Sequence, residues 1–163
     1  MDSDGSNLQQ LTRTTGEDKD SRRPNWSPDG KQIIFVSGPY HDSEIYVMDA
    51  DGSHVRQLTH TPGEGSRVWC PVWSPDGKRI VFQSTQDGNW EIYTMDADGS
   101  NLQRLTRNDK TDACADWSPD GKRIVFQSER VSNSEIRQIY VMDTDGSQER
   151  QLTFERDNGH PDW

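Results

Sequence analysis

At 163 residues the chain is long enough for one ordinary domain, yet only 29% of it is hydrophobic and its mean hydropathy is -1.06. A formal net charge of -10, with no basic stripe, disfavours nucleic acid as a partner, because phosphate binding needs clustered Lys and Arg. No apolar run approaches a membrane span, so no membrane insertion is expected, and nothing near Met1 resembles a signal peptide.

The chain opens on Met-Asp-x-Asp-Gly-Ser at Met1, and the same string returns at Met48, Met95 and Met142, a period of 47 residues. Its first residues therefore already belong to a repeat, as expected of a piece of a longer protein. Asn7 to Thr12 is predicted to be a lone fourth strand. A second string, Trp-Ser-Pro-Asp-Gly-Lys, begins at Trp26, Trp73 and Trp117, and the chain stops on Trp163, where another copy would start. Such polarity would ordinarily suggest disorder. The regular return of Trp, Ile, Phe and Tyr argues instead for stacked units that share a continuous core.

The unit from Pro71 to Thr106 shows how one repeat folds. Pro71 to Ser74 is a short extended run ended by the turn Pro75-Asp76-Gly77, with Pro suited to the first central position and Gly to the left-handed one. Lys78 to Ser84 is β-branched, aromatic and too short for a helix, which predicts a strand buried on both faces. A turn at Gln86 to Asn89 leads to a third strand, Glu91 to Met95, then to the turn Asp96-Ala97-Asp98-Gly99 and a fourth strand, Asn101 to Thr106. Four short antiparallel strands per unit with no helical period is the pattern of a propeller blade. Equivalent blades are predicted from Pro24 to Thr59 and from Ala115 to Thr153, with a lone first strand at His160 to Trp163. The fold class is thus all-β: three complete blades and a partial strand at each end, fourteen strands forming an open arc.

Trp-Ser-Pro-Asp-Gly-Lys, an Ile-x-Phe strand, Ile-Tyr-x-Met-Asp-x-Asp-Gly-Ser and Leu-Thr together resemble the WD40-like repeats of TolB-type β-propellers, over essentially the whole chain. The resemblance implies a ring of six or seven blades, of which this chain holds fewer, and a periplasmic or secreted location. It also implies protein partners, namely an envelope lipoprotein and Tol components.

The turn pairs Asp29-Gly30, Asp76-Gly77 and Asp120-Gly121 should lie on the same face as Asp51-Gly52, Asp98-Gly99 and Asp145-Gly146. Length differences fall on the opposite face, in segments 13–23, 60–70 and 107–114 and in the longer loop 129–138. Binding usually resides on such a variable loop face. Tyr40, His41, Trp69 and Trp90 stand there where other copies carry smaller or polar residues. They are candidate anchors for a protein, peptide or glycan. The competing structural reading is that Trp69 and Trp90 merely cover the end of their own blade.

The repeated Asp-x-Asp-Gly looks like a calcium loop, but a third oxygen ligand and a closing Glu are missing, so hairpin turns are expected and no metal or other cofactor. Cys70 and Cys114 each stand three residues before a repeat Trp, at equivalent positions on neighbouring inner strands. Buried free thiols, a disulfide and metal ligation all remain open, with burial favoured by the habits of cysteine. No Gly-x-Ser-x-Gly elbow, His-Glu-x-x-His helix or phosphate loop is present, and no catalytic residue is assigned.

A non-catalytic binding scaffold is the leading expectation. The alternative is the substrate-filtering propeller of a larger prolyl-oligopeptidase-type or tricorn-like serine peptidase. Bare blade flanks carrying Trp26 and Trp163 should also favour self-association.

Overall fold

The computed structural model describes residues 6–12, 20–61, 65–130 and 137–154, all of them strand, turn or irregular segment. Twelve strands form three antiparallel sheets, each a simple meander in chain order. The first holds β1 (Asp20–Trp26), β2 (Gln32–Gly38), β3 (Glu44–Asp49) and β4 (Arg56–Gln57). The second holds β5 (Val68–Trp73), β6 (Arg79–Ser84), β7 (Glu91–Asp96) and β8 (Gln103–Arg104). The third holds β9 (Asp112–Trp117), β10 (Arg123–Ser128), β11 (Gln138–Asp143) and β12 (Arg150–Gln151). This is the all-β arc of propeller blades that the repeats predict.

Two boundaries differ from the sequence reading. The first strand of each blade starts three or four residues earlier, so Trp69, Cys70 and Cys114 are strand residues. The fourth strand is only two residues long. Residues 7–12 are not a strand, because among the described residues no third strand stands beside them to complete the ladder, although Leu11 packs against Ile33, Phe35 and Met48. The lone strand expected at His160 to Trp163, and Trp163 itself, lie outside the described residues.

The early start of the first strand depends on a bulge. Arg23 and Pro24 together face Phe35, Cys70 and Pro71 face Phe82, and Cys114 and Ala115 face Phe126. Arg23, Cys70 and Cys114 take the left-handed conformation, with φ of 56°, 48° and 51°. A left-handed first residue is what lets two residues oppose one, and it costs energy for any residue with a Cβ.

Packing between blades follows the pleat. Ile34, Val36, Ile45 and Val47 of the first blade meet Trp73, Ile80, Phe82, Tyr93 and Met95 of the second. Val81 and Ile92 on the second blade's other face meet Trp117, Ile124, Phe126, Tyr140 and Met142 of the third. Middle strands therefore read as near-continuous apolar runs because both faces are covered. Each blade also carries one stacked cross-strand pair: Phe35 with Tyr46, Phe82 with Tyr93 and Phe126 with Tyr140, centroids 5.7–5.8 Å apart.

The repeat Trp shows what a neighbouring blade contributes. Trp73 and Trp117 are each 5% exposed, whereas Trp26 is 56% exposed because no described blade precedes it. A cavity of about 620 Å³ runs along that same flank beside Leu11, Phe35 and Tyr46. It lies on the face whose counterpart one blade later buries Phe82 and Tyr93 against the first blade.

Candidate functional site

Six side chains from two blades form an alternating ladder of rings and guanidinium groups. Arg67, just ahead of β5, lies 5.4 Å from the Trp90 ring centroid and 5.2 Å from that of Tyr40. Arg22 of β1 lies 5.8 Å from Tyr40 and 5.3 Å from Trp69, and Arg23 lies 5.0 Å from Trp69. The order is thus Trp90, Arg67, Tyr40, Arg22, Trp69, Arg23. Tyr40 also meets Trp69 edge-on at 6.3 Å and His41 edge-on at 5.1 Å.

Each member is placed by local structure. The turn joining β2 to β3 is closed by the Asp42 amide donating to the Pro39 carbonyl at 3.0 Å, which holds Tyr40 and His41 outward. The bulge in β1 turns Arg23 away from the ladder register. Arg67 is fixed through its backbone, whose N–H donates to Thr85 Oγ1 at 3.0 Å. Arg22 donates from Nη2 to the Gly38 carbonyl at 2.7 Å, and its Nε stands 3.9 Å from Asp20.

All four aromatic candidates from the sequence thereby fall into one cluster, with Trp90 joined through Arg67. Trp69 meets Arg22 and Arg23 of the first blade, whereas Trp90 meets Arg67 of its own blade. The sequence reading missed Arg22, Arg23 and Arg67. They lie up to 45 positions apart in the chain and form no basic run, so only the juxtaposition of blades gathers them. The one available signal was that Arg22 holds the repeat position of Trp69, and Arg23 that of Cys70.

A second set of polar groups on the variable side is a brace. Glu91, fully buried, accepts from the Asn108 amide at 3.0 Å, from Asn89 Nδ2 at 3.2 Å and from Arg104 at 3.0 Å, and also from Thr106 Oγ1. Asn108 Nδ2 donates in turn to Asp112 at 2.7 Å, and Arg130 reaches the same carboxylate at 2.5 Å. Burial pushes the Asp112 carboxyl above the usual carboxylate range against the pull of Arg130 and Asn108. These bonds tie the connection between the second and third blades to both.

The turn face is built from repeated hydrogen bonds. Asp29, Asp76 and Asp120 accept from Ser27, Ser74 and Ser118 and from the amides of Lys31, Lys78 and Lys122. Asp51, Asp98 and Asp145 accept the Ser53, Ser100 and Ser147 amides at 2.8–2.9 Å. The neighbouring serine hydroxyls and then the amides hold all six carboxyls below the ordinary aspartate value. Among the described residues no group of three or more His, Cys, Asp or Glu is disposed to hold a metal.

Ser53, His54 and Asp49 touch one another on this face, but both contacts use His54 Nδ1, at 3.1 and 2.8 Å. A proton relay needs the two ring nitrogens separately, so the trio fixes a turn and is no nucleophile–base pair. Cys70 and Cys114 are free thiols. Hydrogen bonding to Cys114 and burial push the Cys70 thiol far up, which suppresses its thiolate.

Comparison with known proteins agrees with this architecture. The TolB beta propeller domain model matches residues 1–163. The TolB structure from Agrobacterium tumefaciens is 30% identical, with a TM-score of 0.73 over 88% of this chain and 51% of that one. TolB from Acinetobacter baumannii is also 30% identical, with a TM-score of 0.66 over 81% of this chain and 32% of that one. A puromycin-hydrolyzing peptidase from Mycobacterium tuberculosis, 18% identical, shares the fold with a TM-score of 0.72 over 93% of this chain and 24% of that one. No curated protein matches the sequence. The chain thus spans about half the Agrobacterium protein and about a third of the Acinetobacter one. With its repeated turn strings, three meander blades and full-length family match, the chain belongs to the TolB beta propeller domain family.

Proposed function

We infer that this segment is a non-catalytic scaffold whose variable face docks a protein or peptide. The observation that carries the reading is the convergence of Tyr40, His41, Trp69 and Trp90 with three arginines, while the opposite face repeats the same turns. Large rings held by stacking give much contact at small entropic cost, as binding hot spots do. Family membership supports a protein partner and, with it, a periplasmic setting. Selection of a random dodecapeptide display library against the protein tests the reading. Selected clones should lose binding when Tyr40→Ala or Trp69→Ala is introduced and keep it with Asp76→Asn on the turn face. Clones indifferent to both aromatic changes would contradict it.

A second reading, a propeller that filters substrate for a larger serine peptidase, draws support from the fold shared with the Mycobacterium peptidase. The complete reading frame separates the two: a Gly-x-Ser-x-Gly elbow with Asp and His favours the peptidase, and further blades alone favour the scaffold.

A further inference from the structure

Three guanidinium groups converge on one face of a chain with a formal net charge of -10. Among the described residues the only carboxylate paired with them is Asp20, at the long distance of 3.9 Å from Arg22. Arg22 Nε and Arg67 Nε are buried and, among the described residues, have no hydrogen-bond acceptor, which leaves the Nη groups to meet a ligand. Like charges gathered with a single distant counter-charge are unfavourable. An arrangement of this kind is relieved by an anion supplied from outside the chain.

The stacking decides which donors remain. Cation–π contact occupies the flat face of a guanidinium and leaves its in-plane N–H groups at the edge. Those edges match a carboxylate in two parallel hydrogen bonds. The rings also fix the arginine rotamers in advance, so less freedom is lost on binding.

Resting on the docking role above, we propose that the Arg22, Arg23 and Arg67 ladder receives the Asp or Glu carboxylates of an acidic, extended peptide segment of the partner. Tyr40, 55% exposed, supplies the adjoining apolar contact. An acidic oligosaccharide fits less well: sugar rings stack on open aromatic faces, whereas guanidiniums already lie over Tyr40, Trp69 and Trp90.

The display selection tests this with the selected peptides resynthesised. The expected result is enrichment of Asp and Glu, a loss of at least about tenfold when these become Asn and Gln, and a similar loss in Arg23→Gln and Arg67→Gln at unchanged melting temperature. Arg23→Gln keeps an unbranched polar side chain in the left-handed bulge, so folding is expected to be preserved. Clones that need Tyr40 yet tolerate the Asn/Gln peptides and both arginine changes would overturn the acidic assignment and leave the docking role standing. Clones indifferent to Tyr40→Ala would overturn both. Trigalacturonate binding that is lost in Arg67→Gln, with no acidic peptide selected, would overturn the peptide assignment in favour of a saccharide.

Discussion

A Cβ placed on Gly99 would stand 2.7 Å from the carbonyl oxygen of Leu58 in the preceding blade. The same contact recurs between Gly146 and Leu105 at 2.9 Å, and between Gly52 and Leu11 at 3.2 Å. Arg56 reinforces the junction by donating to the Ala97 and Asp98 carbonyls at 3.3 and 3.2 Å. The Asp-x-Asp-Gly turn is therefore a point of contact between blades as well as a hairpin. Leu11 shows, too, that residues 7–12 occupy the fourth-strand position without being a strand.

Two glycines with similar turn geometry should respond differently to alanine. Gly30→Ala, at φ +70° with nothing within 4 Å, should cost about 1–2 kcal/mol for the left-handed backbone alone. Gly99→Ala, at φ +93°, adds the clash with Leu58 and should cost more than about 3 kcal/mol. Urea unfolding of both variants is the measurement, and equal losses would contradict the blade-contact role.

Trp73→Ala and Trp117→Ala should each cost about 3–5 kcal/mol, because each leaves a cavity at a blade interface. Trp26→Ala should change stability by less than about 1 kcal/mol in the isolated chain. The same exposed flank should make the chain self-associate. Light scattering at several concentrations checks this, and a strict monomer would contradict it.

Acid should act on the fold in two opposing ways. The six turn aspartates have lowered folded values, so their stabilisation is present above the ordinary aspartate value of 3.8 and is lost as pH falls through the lowered values. Asp112 has a raised folded value, so its contribution is fully present below 3.8 and is lost as pH rises through the raised value. Unfolding curves between pH 7 and pH 3 should show wild type gaining on Asp112→Asn as pH falls toward 4, then losing stability as the turn carboxyls protonate. A constant gap between the two proteins would contradict the Asp112 assignment.

Cys70 should alkylate slowly with iodoacetamide at pH 8 and rapidly after unfolding in urea, since its thiolate is suppressed and partly buried. Mass spectrometry of timed samples checks the rate. Equal rates in folded and unfolded protein would remove the thiol–thiol contact with Cys114.

Blade architecture was legible in the chain because it is local. Pro75-Asp76-Gly77 fixes a turn whatever surrounds it, and the short β-branched and aromatic run of Lys78 to Ser84 sets one strand buried on both faces. The anchors Tyr40, His41, Trp69 and Trp90 were legible as departures from the repeat. Arg22, Arg23 and Arg67 were not, since a charged residue near a loop looks like any solvated side chain until a neighbouring ring is known. Asp112 was equally hidden, being one acid among 28 acidic residues.

By itself the sequence determined the repeat, its turns, the strand count per blade and the face on which variation collects, all of which depend on residues close together in the chain. Tertiary structure decided what the variable face presents. Arg22 and Trp69 are 47 positions apart in sequence and 5.3 Å apart in space, because the first strands of adjacent blades run side by side. No local preference encodes that distance; it follows from the stacking of one blade on the next.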